Sequence, residues 1–490
     1  MVVLLAFLCL RLIFWWVAFP NPDEAYYWLW GQRLEWSYYD HPPFHAWVQG
    51  LFSTLGHSPF VLRLPNLLSN GLLLFVYFKI CQYRFGAKAR SALWRVLWLL
   101  LTAPLYFLFL ALAWHDHWLI TFCLLAMYWF ITFADDYQAT GHGQSGRLYG
   151  AGGAIALALL CKYNAVFVLA AFLATIVSQP RLRPLLRDGR LYLAGAIAAS
   201  GLLPILIWNQ QNDWQSFAYY VNRSVDSGSF SLRWDSCLGF LLFSLVMVSP
   251  WHCWRFWQSL RYPQALFRQT STYATLAFWS FLIPTVILTI VSLLSAALYY
   301  WNITAYLLLF PLVADLETTA TGKNETGRGS FPALLPSLYG LLFAALFVIH
   351  YTVFPLSALI DQDSDPDSRM LYGWKHVATV VQSKATELGG LDPIGLFTTD
   401  YRSASAIAYQ LNHPQVLAIS QRIDQFDFWA PADNKRLQGK LALLLSDDWH
   451  PLTEAALAQF QLQNEPITIP VTRFGRWIKN YYLTTGIYQP

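Results

Sequence analysis

The chain of 490 residues is 56% hydrophobic and only 12% charged, where an ordinary soluble protein carries roughly 25% charged residues. That balance excludes a water-soluble globule, and a formal net charge of +4 is too small to point to nucleic acid. The 23 Trp, 27 Tyr and 34 Phe suit a protein with many membrane–water interfaces, where amphipathic rings settle at headgroup depth.

The first apolar run, residues 2 to 20, is too long for a signal-peptide core, and the Phe19-Pro20-Asn21-Pro22-Asp23 that follows lacks a small-residue cleavage site. It is therefore expected to be an uncleaved first span. A helix needs about 20 apolar residues to cross a bilayer. On that measure further spans are expected near 60 to 82, 92 to 113, 117 to 134, 148 to 161, 163 to 178, 191 to 208, 236 to 257, 272 to 293, 298 to 315 and 331 to 354, about eleven in all. The fifth and sixth are short and meet at Lys162, so they form either two spans or one bent feature. Cys9, Cys81, Cys123, Cys161, Cys237 and Cys253 all lie in or beside apolar runs without metal-type spacing, and read as small core residues.

Lys and Arg near span ends favour the cytoplasm. With the N-terminus inside, the inner loops collect Arg84, Lys88, Arg90, Arg95, Arg147, Arg181, Arg183, Arg187, Arg190, Arg255, Arg261, Arg268, Lys323 and Arg328, while the outer loops hold Arg33, Arg63, Lys162, Arg223 and Arg233. The asymmetry predicts an outer C-terminus. The polar run Glu317 to Ser330 reads as an inner loop. After about Pro355 hydropathy falls: Pro393 to Thr399, Gln415 to Ile419 and Leu441 to Ser446 read as buried strands, and Lys375 to Leu388, Arg402 to Leu411 and Pro451 to Phe460 as helices. The expected organisation is thus mostly α: a polytopic helical membrane domain, residues 1–354, followed by a small α/β extracytoplasmic domain, residues 355–490.

The candidate chemistry lies in the outer loops. Asn21-Pro-Asp-Glu-Ala-Tyr-Tyr-Trp sets Asp23 and Glu24 side by side just past the first span, and the same loop continues through the aromatic and turn-rich Trp36-Ser-Tyr-Tyr-Asp-His-Pro-Pro-Phe-His. Asp116, in Trp114-His-Asp-His-Trp, sits in a very short connection beside the hydrocarbon, as either a functional acid or a solvated turn residue. His115 and His117 flank it, and with Asp23 or Glu24 offer ligands for a divalent ion, although HxxxH or HExxH spacing is lacking. Lys162 interrupts a long apolar run, either snorkelling to the surface or meeting an anionic phosphate; Arg63 carries the same two readings. Carboxylates and cations on one face of a membrane fit displacement at the sugar carbon of a lipid-linked phosphate. A carboxylate takes the acceptor's proton, and cations stabilise the departing phosphate.

Pro22-Asp-Glu-Ala-Tyr-Tyr-Trp, Tyr38-Tyr-Asp-His-Pro-Pro, Arg63-Leu-Pro, His115-Asp-His, Cys161-Lys-Tyr-Asn-Ala, Trp208-Asn-Gln-Gln-Asn-Asp-Trp and Tyr299-Tyr-Trp-Asn occur in this order. In this the chain resembles the bacterial branch of the dolichyl-phosphate-mannose protein mannosyltransferase family, which includes aminoarabinose and lipopolysaccharide-core transferases. The resemblance implies a GT-C fold and an inverting glycosyltransferase of the bacterial inner membrane with a periplasmic C-terminal domain. It implies a polyprenyl-monophosphate sugar donor and an envelope glycolipid or glycan acceptor. Asp23 is then the base, Glu24 its partner and Asp116 a second acid. Lys162 and Arg63 face the donor phosphate, and Tyr26, Tyr39, Asp40, His41, Asn209, Trp301 and Asn302 contact substrate. Gly373-Trp374, Asp400-Tyr-Arg-Ser-Ala and Phe426-Asp-Phe-Trp resemble the outer domain of bacterial members. A lipid-linked-sugar transporter or flippase and a protein O-mannosyltransferase are the rival readings, with a catalytically idle accessory subunit a third.

Overall fold

A computed structural model describes residues 2–224, 232–260, 272–314, 334–359, 365–420 and 422–489. The inner loop read at Glu317 to Ser330 and the basic residues Arg261, Arg268, Lys323 and Arg328 lie outside the described residues.

The protein is mostly helical. In chain order its first helices are α1 (Val2–Val17), α2 (Pro22–Gln32), α3 (Phe44–Ser53), α4 (Pro59–Phe85), α5 (Ala89–Thr102), α6 (Pro104–Ala111), α7 (Asp116–Thr140), α8 (Ser145–Cys161) and α9 (Val166–Ser178). Among the described residues four helices are long and apolar enough to cross a membrane, or up to seven if each bent pair counts as one span. Their outer surfaces are apolar where a soluble protein would be polar: Leu5, Leu8, Ile13 and Trp16 of α1 and Leu68 and Phe75 of α4 are all exposed. The bent pairs break where the sequence supplies a reason. Trp234–Val248 turns by 95° into Pro250–Leu260 at Ser249, whose φ is +86°, because proline cannot continue the preceding hydrogen-bond ladder. α1 bends by 60° into α2 at Pro20-Asn-Pro. We take the first span to end at Val17, since α2 carries two carboxylates in its first turn.

Two compact units interleave along the chain. The first comprises Met1–Cys9, His41–Phe44 and Pro65–Ala344. At its heart is α7, with Asp116 in its first turn, where a negative charge complements the helix dipole, and Gly141 closing it in the left-handed conformation, φ +73°. α8 packs along α7 and on its other side meets the helix Gly189–Ser200 through small residues. A Cβ on Gly152 would stand 2.5 Å from the Ala194 carbonyl oxygen, the close backbone approach by which membrane helices gain van der Waals contact. α8 ends at Lys162, whose backbone is extended, and a 3-10 turn, Tyr163–Ala165, leads into α9. The two short apolar runs are therefore two helices with a break at the lysine. The run read as a span at 298 to 315 starts instead as a 3-10 segment, Tyr299–Tyr306.

The second unit comprises Leu10–Asp40, His45–Leu64 and Ala345–Pro490. The first outer loop thus packs with the C-terminal stretch. α2 and α3 cross with Gly31 against Gly50, where a Cβ on Gly31 would meet the Gly50 backbone nitrogen at 2.6 Å. The C-terminal strands are β1 (Gly395–Thr398), β2 (Val416–Ala418), β3 (Leu441–Asp447), β4 (Phe460–Leu462), β5 (Ile467–Arg473) and β6 (Arg476–Tyr488). Their order is β2-β1-β3-β6-β4, with β5 also on β6. β1 runs parallel to β2 and β3, and β6 antiparallel to β3, β4 and β5. Phe397, Leu417, Leu437, Ala442, Leu444, Phe460 and Tyr488 fill one cluster of its core. The three expected strands are β1 to β3. The helix expected over Pro451 to Phe460 is only the short turn Glu454–Leu457, because the chain goes extended at Phe460 to enter β4.

Candidate active site

In the second unit, Asn21, Pro22 and Glu24 form the start of α2. Asn21 Oδ1 accepts the Glu24 N–H at 2.8 Å, and Glu24 Oε2 accepts the Asn21 N–H at 3.0 Å, a reciprocal capping box with Pro22 at the first helical position. The Glu24 carboxylate is also the anchor of Arg63. Arg63 Nε donates to Oε1 at 2.9 Å and Nη2 to Oε2 at 2.6 Å. Nη1 donates to the carbonyl oxygens of Phe14 and Ala18 at 3.1 and 2.9 Å, and Nη2 stands 3.5 Å from that of Phe19. Both side chains have 0% exposure. Arg63 and Glu24, expected at the donor phosphate and beside the base, are bound to each other in this geometry. The guanidinium satisfies the orphan carbonyls at the end of α1 and Glu24 neutralises it, so the pair fixes the bend that presents α2.

Asp23 is left on the other side of that first turn, half-buried. The Tyr401 hydroxyl lies 3.5 Å from its Oδ1. Burial, reinforced by the negative charges of Asp367 and Asp40 and opposed by Arg402 and Arg422, pushes its carboxyl up to about 6. Around it the expected loop residues assemble with C-terminal ones. Tyr26 donates its hydroxyl to Asp40 Oδ2 at 2.8 Å and accepts the Gln425 N–H at 2.8 Å. Arg422 Nη2 donates to Asp40 Oδ1 at 2.9 Å. The Tyr39 N–H donates to Gln425 Oε1 at 2.8 Å, and its ring stacks on Phe428 at 5.4 Å. Tyr401, Arg402, Arg422 and Gln425 were missing from the site as read in sequence. The Asp400-Tyr-Arg and Phe426-Asp-Phe-Trp motifs were the available signal, and nothing in their spacing tied them to a loop nearly four hundred residues earlier.

In the first unit, Lys162 Nζ is held by both oxygens of Asp116, at 2.9 and 3.0 Å, and lies 4.9 Å from the centre of the Tyr300 ring. With 8% and 2% of their side chains exposed, neither the snorkelling lysine nor the solvated aspartate survives as a description. The break after α8 aims the lysine inward because its extended backbone leaves the helical path. The His115 ring lies 4.6 Å from that of His41 between centres, tilted by 53°, and Tyr220 Oη lies 3.1 Å from His41 Nδ1. Ser69 Oγ lies 2.7 Å from His117 Nδ1. Among the described residues no three His, Cys, Asp or Glu side chains gather as a metal site. Asn209 is buried and shapes a turn, its Oδ1 accepting the Phe217 N–H at 3.2 Å. Asn302 donates to Thr285 Oγ1 at 2.9 Å and Tyr306 Oη at 3.1 Å, and the Trp301 carbonyl accepts from Asn164 at 2.7 Å.

Residues 40–208 match the family model described as dolichyl-phosphate-mannose-protein mannosyltransferase. Over 193 residues, 39% of the chain, the sequence is 28% identical to the lipid A galacturonosyltransferase RgtD of Rhizobium johnstonii (strain DSM 114642 / LMG 32736 / 3841). Over 99 residues, 20% of the chain, it is 34% identical to the lipopolysaccharide core galacturonosyltransferase RgtB of the same organism. The matches span 38% and 20% of those relatives' own lengths. The structure is similar to the crystal structure of ArnT from Cupriavidus metallidurans bound to undecaprenyl phosphate, with a TM-score of 0.60 at 16% identity over 97% of both chains. The family resemblance read from the sequence is borne out over residues 40–208, and the fold is of the GT-C type.

Proposed function

We propose, on the premise that residues 40–208 are related to the mannosyltransferase family and that the chain has the fold of ArnT, that this protein is a membrane glycosyltransferase. It moves a sugar from a polyprenyl-monophosphate donor such as undecaprenyl phosphate to an envelope acceptor on the outer face of the bacterial inner membrane. The relatives' acceptors, lipid A and lipopolysaccharide core, make a glycolipid the favoured class. The observation that carries the reading is Asp23, a half-buried carboxylate raised to about 6, held on α2 by the Glu24–Arg63 pair and bordered by tyrosine and arginine side chains.

A base of that character is ionised at neutral pH yet basic enough to take a proton from a hydroxyl. One displacement suffices: the acceptor oxygen attacks the anomeric carbon as the bond to the phosphate oxygen breaks. The configuration inverts, the acceptor proton passes to Asp23, and the phosphate leaves on its lipid. In the first unit, Lys162 offers a compact cation to a lipid phosphate, its ammonium held by Asp116. Tyr26, Tyr39, Asp40 and His41 are assigned to the substrate surface. Mass spectrometry of envelope glycans tests the reading. A strain lacking the gene is expected to lose one sugar from a glycolipid, regained with the wild-type gene and not with Asp23→Asn. An unchanged glycan profile overturns it.

A further inference from the structure

We infer that Arg422 recognises an acidic group, a phosphate or a carboxylate, on the acceptor, making this protein selective for acidic glycolipids; the inference rests on the transferase reading above and deepens it. Arg422 lies between β2 and the helix Gln425–Leu437, outside every segment from which the site was read in sequence.

Asp424 and Asp427 form a capping box that starts the helix, and the Ser420 hydroxyl lies 2.6 Å from both the Arg422 carbonyl oxygen and Asp424 Oδ2. A circuit then ties this stretch to the first outer loop: the Gln425 N–H donates to Tyr26 Oη, the Tyr26 hydroxyl donates to Asp40, and Asp40 accepts from Arg422. The guanidinium lies 4.5 Å from the centre of the Tyr401 ring, the ring whose hydroxyl points at Asp23. These contacts place Arg422 beside the proposed base.

Its exposure separates it from Asp40. The Arg422 side chain is 48% exposed, whereas that of Asp40 is 9% exposed. A planar guanidinium is suited to carboxylate and phosphate groups, which it meets through two parallel donors. An acid on the acceptor that engaged Arg422 would bring a neighbouring sugar hydroxyl toward Asp23.

The test is direct binding to the purified full chain in nanodiscs, read without turnover. The probes are bisphosphorylated lipid A, the same lipid enzymatically dephosphorylated, and the dephosphorylated lipid bearing a uronic acid. Wild type is expected to prefer at least one acidic probe over the neutral one by roughly tenfold, the weight of one charge-assisted hydrogen bond, and the preferred probe tells phosphate from carboxylate. Arg422→Gln is expected to bring that ratio near unity, and Arg422→Lys, which keeps the charge but loses the paired donors, to keep only part of it. A wild type without acid preference, an Arg422→Gln variant that retains it, or equal loss in both variants overturns the inference. Sugar transfer without acid preference overturns this inference alone. Acid preference through Arg422 without sugar transfer overturns the transferase reading alone.

Discussion

Asp23 and Glu24 are neighbours in sequence with opposite fates. Glu24 is consumed by Arg63 and the cap, while Asp23 keeps a raised carboxyl facing tyrosine and arginine side chains. The base must be ionised, so kcat/KM is expected to fall as pH drops through about 6, the value to which burial and the nearby carboxylates raise Asp23. Asp23→Asn should lower activity by a factor of about a hundred or more and flatten that limb, with unchanged thermal unfolding; a retained limb near 6 would assign it to another group. The Glu24–Arg63 pair makes the contrasting prediction. Removing one partner of a buried pair costs about 3–5 kcal/mol, so Arg63→Met should lower the unfolding temperature sharply, and Glu24→Gln, which keeps an acceptor and the cap, should cost less. If Arg63→Met unfolds as wild type does but binds polyprenyl phosphate weakly, the phosphate role first read for Arg63 returns. For Lys162 the order reverses: Lys162→Met is expected to weaken polyprenyl-phosphate binding, read by native mass spectrometry. Unaltered binding would confine Lys162 to its partnership with Asp116.

At the level of elements, α2 reaches its place through a glycine crossing. Gly31→Leu puts a branched side chain where a Cβ alone would already stand 2.6 Å from the Gly50 backbone. It is expected to lower both the unfolding temperature and transfer, whereas Gly153→Ala, at a site with open space around it, leaves both near wild type. Other elements show what a sequence can and cannot disclose. β1 to β3 were legible because short apolar runs bounded by turn residues have few other uses. β6 was not: its Arg476-Trp-Ile-Lys-Asn start hides the strand, since Lys479 is buried in the sheet against Asp447, with Nζ 2.9 Å from the carboxylate. The helix Gln425–Leu437 was concealed by Pro431 in its interior, and the 3-10 segment Tyr299–Tyr306 by an apolar composition that reads equally well as a regular span. In the site, Asp23, Asp116 and Lys162 stood out because charge beside hydrocarbon is costly. Arg422 and Tyr401 did not, because a polar stretch gives no contrast against which one arginine is visible.

Over the whole molecule, the sequence conveyed the membrane character and the family resemblance, since composition and ordered motifs survive without coordinates. It did not convey that the first outer loop and the C-terminal stretch belong to one compact unit, because that depends on tertiary pairings such as Tyr26 with Gln425. The pairing bears on topology: α2 and the C-terminus should share one face of the membrane. With the C-terminal stretch proposed to be periplasmic, alkaline phosphatase fused after Pro490 is expected to be active and a fluorescent protein that folds only in the cytoplasm to stay dark. The opposite pattern would invert the orientation and, with it, the side on which donor is used. The transfer chemistry itself is open to measurement with purified protein in nanodiscs given a synthetic undecaprenyl-phosphate sugar and a glycolipid acceptor. The expected product is an acceptor heavier by one sugar of inverted configuration, with undecaprenyl phosphate released in equal amount and both signals lost in Asp23→Asn; full transfer by that variant, or a retained configuration, would rule out Asp23 as the base of an inverting displacement.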